Sequence, residues 1–440
     1  MDKDNDYNIE IVGGELPTLE RWPKKAKIIL GIIIGIAVLL IVALIIVIVC
    51  YQKKLSNNSS RSDDIQPEPT PPPSPSPTPI PGIDTYSFFG STLYNLTYDD
   101  NGKIENSFKK DGYNHIDGVD NINDNNDYEK NERNIYNLYI PQYAMDRMKD
   151  YNGIFLWVHG GAWTSGNKEV MDIFCKLISS QGYISATLGY TLLTPKFKEY
   201  NIFKNLDEIT ACIKAIKNKL VEIGFDGNKL YLAIGGYSSG AHLSLLYSYL
   251  NKNTDIIPLK FIVDFVGPIG LYPKYFYKLK SINETLSNIE DVSIIEEAMK
   301  NGSLLPIYKE EVAIRLMNLF TGNKFSDSAD KMLFPNKTIN WENDKLKEMF
   351  KIAKNAFITE IEDKHKLPTI CIYGGIDEVV GVSTYAYLKQ KMDLDERKYD
   401  FIYSRYEGHM LMIPQTFEGV QKIRETISKI TQYLKNYFGY

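Results

Sequence analysis

From Asn134 to the carboxyl-terminal end, apolar runs of five to eight residues alternate with longer amphipathic stretches, and few folds satisfy that alternation. The short runs are strands, and the longer stretches are helices that pack on the sheet they form. Strands are predicted at 135–140, 154–159, 184–190, 230–235, 261–266, 369–373 and 399–404, with helices at 167–180, 202–223, 238–250, 382–392 and 416–437. The expected class is therefore α/β, a mostly parallel central sheet flanked by helices. The interval 270–354 is too long for a plain connection and carries helical stretches such as 308–320, so it reads as an inserted helical cap that would shape a pocket.

Different material lies ahead of this region. Residues 28–51, IILGIIIGIAVLLIVALIIVIVCY, run for 24 residues without a charge. As a helix they span about 36 Å, against a hydrocarbon core of about 30 Å. A buried core helix would carry a polar stripe, and a cleaved signal sequence would be shorter and end in small residues. The expectation is a single transmembrane helix, with the lipid bilayer as a partner. Arg21, Lys24, Lys25 and Lys27 precede it while Lys53, Lys54 and Arg61 follow, a balance that favours a cytoplasmic amino terminus and an extracytoplasmic carboxyl-terminal domain. Residues 66–82, QPEPTPPPSPSPTPIPG, hold nine of the chain's 20 prolines and read as an extended stalk. The organisation expected is a tail at 1–27, a membrane span at 28–51, a Ser/Pro-rich linker at 52–82 and one α/β domain at 83–440, with the cap inserted at about 270–354. At its start, 85–133 is rich in Asn, Asp, Gly and Tyr and reads as loops with short edge strands. Within that stretch 121–132 departs from a calcium loop at its first and sixth positions and reads as a solvated loop.

A net charge of −5, without a Lys/Arg block outside the membrane flanks, offers nothing to nucleic acid. Cys50 ends the apolar run, and Cys175, Cys212 and Cys371 show no C-x-x-C spacing, so neither a disulfide framework nor a metal site is expected.

The chemistry concentrates at three strand ends. Gly236-Tyr237-Ser238-Ser239-Gly240 is a G-x-S-x-G placed after the apolar strand KLYLAIG and before the helical AHLSLLYSYL. Glycines on both sides let the chain turn sharply and expose a serine hydroxyl at a helix amino terminus. His159-Gly160-Gly161-Ala162-Trp163 follows the strand GIFLWV. Small residues there leave amide N–H groups free to meet the negative charge that builds on a carbonyl oxygen during acyl transfer. The donors expected are Gly161, Ala162 and Ser239, and His159 is expected to pack and hydrogen-bond within its turn.

A serine hydroxyl needs a base. Of five histidines, His115 lies in the polar lead-in, His242 one turn beyond Ser238, and His365 at the wrong end of its strand. His409, in Tyr406-Glu407-Gly408-His409-Met410 after the last strand, is left as the base. Asp377, in Gly374-Gly375-Ile376-Asp377 after the strand PTICIY, is the carboxylate expected to orient it, with Glu378 as its nearest rival. Trp163 is a candidate wall of a substrate pocket and equally a core residue.

Together these residues resemble the hormone-sensitive-lipase-like and arylformamidase-like branch of the α/β-hydrolases over roughly 134–437. RNIYNLYIP resembles the family's lead strand, GYISATLGYTL its fourth strand and FDGNKLYLAIGGYSSGAHLSLL its elbow. The chain has Ala162 where many members have a third glycine, and YTL where they have YRL. The resemblance implies a serine esterase for small to medium carboxylic esters that uses no cofactor. Formamide or peptide hydrolysis with the same triad, and a non-catalytic binding protein on the same fold, are the alternatives.

Overall fold

The computed structural model describes residues 113–118, 136–194, 200–250, 256–281, 286–325, 329–411 and 416–439. All of them fall in the unit Pro79–Tyr440. The apolar run at 28–51, the linker and the loop at 121–132 lie outside the described residues. Among the described residues, no helix is long and apolar enough to cross a membrane.

The strands are β1 (Tyr113–Gly118), β2 (Tyr136–Pro141), β3 (Gly153–Val158), β4 (Ile184–Leu188), β5 (Tyr231–Tyr237), β6 (Leu259–Phe265), β7 (Tyr277–Leu279), β8 (Leu304–Pro306), β9 (Thr369–Gly374) and β10 (Tyr399–Ser404). Eight of them form one sheet in the order β1-β2-β4-β3-β5-β6-β9-β10. β2 pairs antiparallel with both β1 and β4, and from β4 to β10 every pairing is parallel. β2, β3, β4 and β9 are buried along their whole length, the pattern of strands covered on both faces.

The longer helices are α1 (Asp172–Ser180), α2 (Ile202–Ile223), α3 (Ser239–Leu250), α4 (Val292–Asn301), α5 (Glu310–Phe320), α6 (Asp344–Ala353), α7 (Val382–Leu394) and α8 (Phe417–Phe438). Four of them, α2, α4, α6 and α8, begin at side-chain caps. The Asn201 carboxamide accepts from the N–H groups of Phe203 and Lys204, and Thr416 Oγ1 accepts from the Gly419 N–H at 2.9 Å. α8 lays Tyr433 and Phe438 against Phe261 of β6 at ring separations of 5.3 and 5.8 Å. α1 brings Phe174 to 5.0 Å from Trp157 of β3. α3 is buried from Ser239 to Tyr249, as an apolar helix without a polar face must be.

The lead-in contributes β1, an antiparallel edge partner of β2, in line with its reading as loops with short edge strands. One feature departs from the sequence reading. The inserted region between β6 and β9 holds a two-stranded sheet of β7 and β8 as well as helices. Strands of three residues are too short to show a period, and β7 and β8 are held by a small separate core. There Leu279, Ile295, Ala298 and Leu304 pack on Val382 and Ala386 of α7.

The open ends of α3, β9 and β10 are locked by one buried cation. Arg397 pairs with Asp363 Oδ2 at 3.0 Å, with both side chains within 1% of full burial. It also donates to the Leu367 carbonyl at 2.6 Å, to Thr369 Oγ1 at 2.9 Å and to Ser248 Oγ at 3.0 Å. Asp363→Ala strands that guanidinium in the interior, and about 3–5 kcal/mol of unfolding free energy should be lost. Urea titration of both forms measures this directly, and a change below about 1 kcal/mol would mean that the cation finds water or another partner.

Candidate active site

Ser238 stands between β5 and α3 with φ 55°, a left-handed conformation that costs a non-glycine residue roughly 1–2 kcal/mol. Its surroundings enforce this turn. A Cβ at Gly236 would lie 2.2 Å from the Gly240 carbonyl carbon, and one at Gly240 would lie 2.1 Å from the Val158 carbonyl oxygen. Only glycine at both positions lets helix, strand and turn approach this closely. The Ser238 N–H donates to the Phe265 carbonyl at 2.8 Å, which ties the turn to the end of β6.

The turn after β3 abuts the same serine, because a Cβ at Gly160 would sit 3.1 Å from Ser238 Cβ. Three successive residues have positive φ: Gly161 at 125°, Ala162 at 51° and Trp163 at 62°. The Gly161 carbonyl accepts from the N–H groups of Thr164 and Ser165 at 3.0 and 2.9 Å, and the Trp163 carbonyl accepts from Leu193 N–H at 2.8 Å. That bonding holds a strained turn in place. Among the described residues the amides of Gly161 and Ala162 donate to no carbonyl. Ser239 opens α3, so its N–H has no intrahelical acceptor.

His409 and Asp377 meet from two loops. His409 Nδ1 lies 2.8 Å from Asp377 Oδ2, and the Asp377 side chain is fully buried. The other carboxylate oxygen accepts from the N–H groups of Val379 and Val380 at 2.7 and 2.8 Å. Tyr237, next to Ser238, faces the His409 ring at 5.4 Å and donates its hydroxyl to the His409 carbonyl. Ser238 Oγ makes no hydrogen bond to the imidazole. Such a bond commonly forms only when substrate is bound. Glu378 points elsewhere, pairing with Lys278 of β7 while 76% exposed.

Trp163 is only 4% exposed. Its indole N–H donates to His242 Nδ1 at 3.2 Å and its ring packs edge-on against Phe320 of α5 at 4.9 Å. This is the placement of a core strut between turn and insertion, which leaves little of its surface for a ligand. His242 donates from Nε2 to the Ala356 carbonyl at 2.8 Å, and burial pushes its pKa down to about 4, so the ring is neutral and its tautomer set. His159 stacks on Tyr190 at 4.2 Å and bonds the adjacent Gly160 carbonyl.

One site residue has no signal in the sequence. Glu407, 1% exposed, accepts from the Thr416 N–H at 2.9 Å and from its hydroxyl. The Glu407 carbonyl accepts from Ile376 N–H at 3.1 Å, beside Asp377. Glu407 therefore couples the loop of the acid to the loop of the base. Among the described residues no three metal-ligating side chains cluster.

A parallel sheet in this strand order, entered by an antiparallel pair and carrying a left-handed serine after its fifth strand, decides the architecture. The chain has the α/β-hydrolase fold.

A family model described as BD-FAE matches residues 137–307 of this chain, a stretch that includes Ser238 and ends before Asp377 and His409. Among solved structures the chain is similar to a bacterial heroin esterase, at 14% identity over 79% of this chain and 89% of that one, with a TM-score of 0.49. It is similar to esterase B from Lactobacillus rhamnosis, at 14% identity over 74% and 89%, TM-score 0.46. A truncated carbohydrate esterase from gut microbiota is similar at 16% identity over 72% and 96%, TM-score 0.46. No curated protein matches the chain.

Proposed function

We propose that the chain is a serine hydrolase that cleaves small to medium carboxylic esters, with Ser238 as nucleophile, His409 as base and Asp377 as its orienting carboxylate. The observation that carries this reading is the 2.8 Å contact between His409 Nδ1 and the fully buried Asp377, made beside a serine held in a left-handed turn.

The chemistry follows from the donors and acceptors present. Ser238 Oγ attacks the ester carbonyl carbon while His409 Nε2 takes its proton, and the carbonyl oxygen becomes an oxyanion facing the amides of Gly161, Ala162 and Ser239. Asp377 stabilises the imidazolium through Nδ1–H. The imidazolium then gives its proton to the departing alkoxide, which leaves an acyl-serine. Water attacks that ester with His409 again as base, and releases the carboxylic acid and Ser238. No step calls on a cofactor.

A fluorophosphonate probe tests the reading, since only an activated serine reacts with it. Labelling confined to the Ser238 peptide is expected, and an unlabelled, folded protein points instead to a binding protein on a hydrolase fold. Short-chain aryl esters, N-formyl aromatics and peptide amides offered side by side then rank ester, formamide and peptide hydrolysis by kcat/KM.

The proposed location is a membrane crossed once by residues 28–51, with the amino terminus cytoplasmic and the catalytic domain outside. The uncharged 24-residue run and the proline-rich stretch that follows support it. Protease added to intact cells should release the domain through that stretch, and full protection would reverse the orientation.

A further inference from the structure

Behind the serine turn lies the short segment Asp264-Phe265-Val266-Gly267. Asp264 pairs in register with Gly236 on one side and Cys371 on the other. The next residue, Phe265, supplies the carbonyl that receives the Ser238 N–H. Val266 has φ 49°, and a Cβ at Gly267 would lie 2.9 Å from Ala241 Cβ and 3.2 Å from the His242 nitrogen. Any shift of this segment is therefore felt by Ser238 and by the first turn of α3.

Beside its sheet bonds and the Val266 N–H donation to the Ile372 carbonyl at 2.9 Å, three contacts at the segment close on themselves. The Gly267 N–H donates to Asp264 Oδ1 at 2.8 Å. Tyr373 Oη lies 2.8 Å from Asp264 Oδ2 and 2.6 Å from the Gly267 carbonyl oxygen. A phenol has one proton to give. If Asp264 were ionised, both neighbours of Tyr373 Oη would be acceptors, and one of these short oxygen–oxygen contacts would have no hydrogen in it. With a proton on Oδ2 every contact has one: Asp264 to Tyr373 Oη, Tyr373 to the Gly267 carbonyl, and Gly267 N–H back to Oδ1.

We propose that Asp264 is a neutral carboxylic acid and a positioning residue for the Ser238 turn, its proton closing a three-bond ring through Tyr373 and Gly267. The inference rests on the hydrolase reading for its catalytic consequence and on geometry alone for its proton.

The groups around Asp264 agree. β9 brings the Tyr373 phenol and the Cys371 thiol, both pushed up by burial. Arg397 acts from farther off and is already paired with Asp363. α3 brings the neutral His242, and Asp377 acts on the same Tyr373 hydroxyl. Burial pushes the Asp264 carboxyl up from 3.8 to about 7, against the lowering influence of Tyr373, Gly267 and Arg397. The sign follows. An acid whose folded value is raised contributes stability that is complete below its unfolded value of 3.8, and that stability is lost as pH climbs through about 7.

Asp264→Asn tests the ring, because a carboxamide donates from Nδ2 and accepts at Oδ1 without titrating. At a pH of about 6, kcat/KM of this variant should stay within about threefold of the parent. Above neutrality, where the parent loses kcat/KM as Asp264 ionises, the variant should not follow. Asp264→Ala should lose about tenfold or more at every pH. The parent should show the infrared carbonyl stretch of a protonated carboxylic acid at mildly acid pH, and Asp264→Asn should lack that band. Stability against pH should separate the two proteins through the same interval, also in a Ser238→Ala background where turnover plays no part. A missing band, an Asn variant as damaged as the alanine one, or an alkaline limb shared by parent and Asn variant would each overturn the proposal. If no ester is turned over, the band and the stability curves still decide whether the proton is there.

Discussion

Ser238→Ala should lower kcat for a short-chain aryl ester by about a million-fold while leaving the circular dichroism spectrum and the melting temperature nearly unchanged. The loss is this large because the members of such a triad act as a unit. Without the hydroxyl no acyl-enzyme forms, and His409 and Asp377 have nothing to activate. Only ground-state binding and the amides of Gly161, Ala162 and Ser239 remain to favour direct attack by water. The fold should tolerate the change because Ser238 Oγ makes no hydrogen bond to the imidazole and the turn is enforced by Gly236, Gly240 and the carbonyl of Phe265. Alanine in fact relieves nothing of the left-handed strain, since that belongs to the backbone. If turnover persists in the alanine variant, the activity comes from elsewhere in the chain or from another protein.

Asp377→Asn is expected to cost about 10,000-fold in kcat with KM little altered. The reason is a tautomer. Asp377 Oδ1 already accepts from Val379 and Val380, so the new carboxamide keeps its oxygen there and turns its NH2 toward His409 Nδ1. The ring must then carry its proton on Nε2, the atom that has to receive the serine proton, and the base is blocked while the loop geometry is kept. The neighbouring Glu378→Gln serves as the contrast. Its carboxylate reaches Lys278 in the exposed ion pair, so its loss should leave kcat within about twofold. Should the two substitutions act alike, the imidazole takes its orientation from some other group.

Much of this architecture was legible from residue order. The predicted helix at 202–223 coincides with α2 and the predicted strand at 399–404 with β10, because a long amphipathic stretch and a short run rich in apolar and aromatic residues are local signals. Motifs at strand ends were legible for the same reason, since a glycine that must allow a close approach cannot be exchanged without a clash. β1 and the β7–β8 pair were weakly marked or unmarked, because polar or three-residue segments become strands only when a partner edge is offered. Trp163 is the instructive case. Beside the glycine turn it reads as a pocket wall or as core, and the choice depends on Phe320 and His242, which are distant in the chain.

What the sequence determined by itself was the order of the layers, the sharp turn at Ser238 and the candidates at Asp377 and His409, since each depends on neighbours a few residues away. Only the tertiary structure decided that Asp377 and not Glu378 faces the imidazole, that Glu407 joins the two loops, and that Asp264, Tyr373 and Gly267 close a ring under the serine. Those outcomes depend on hydrogen-bond partners brought together by sheet register across as many as 109 positions, and directional bonds over such separations leave no periodic trace in the chain.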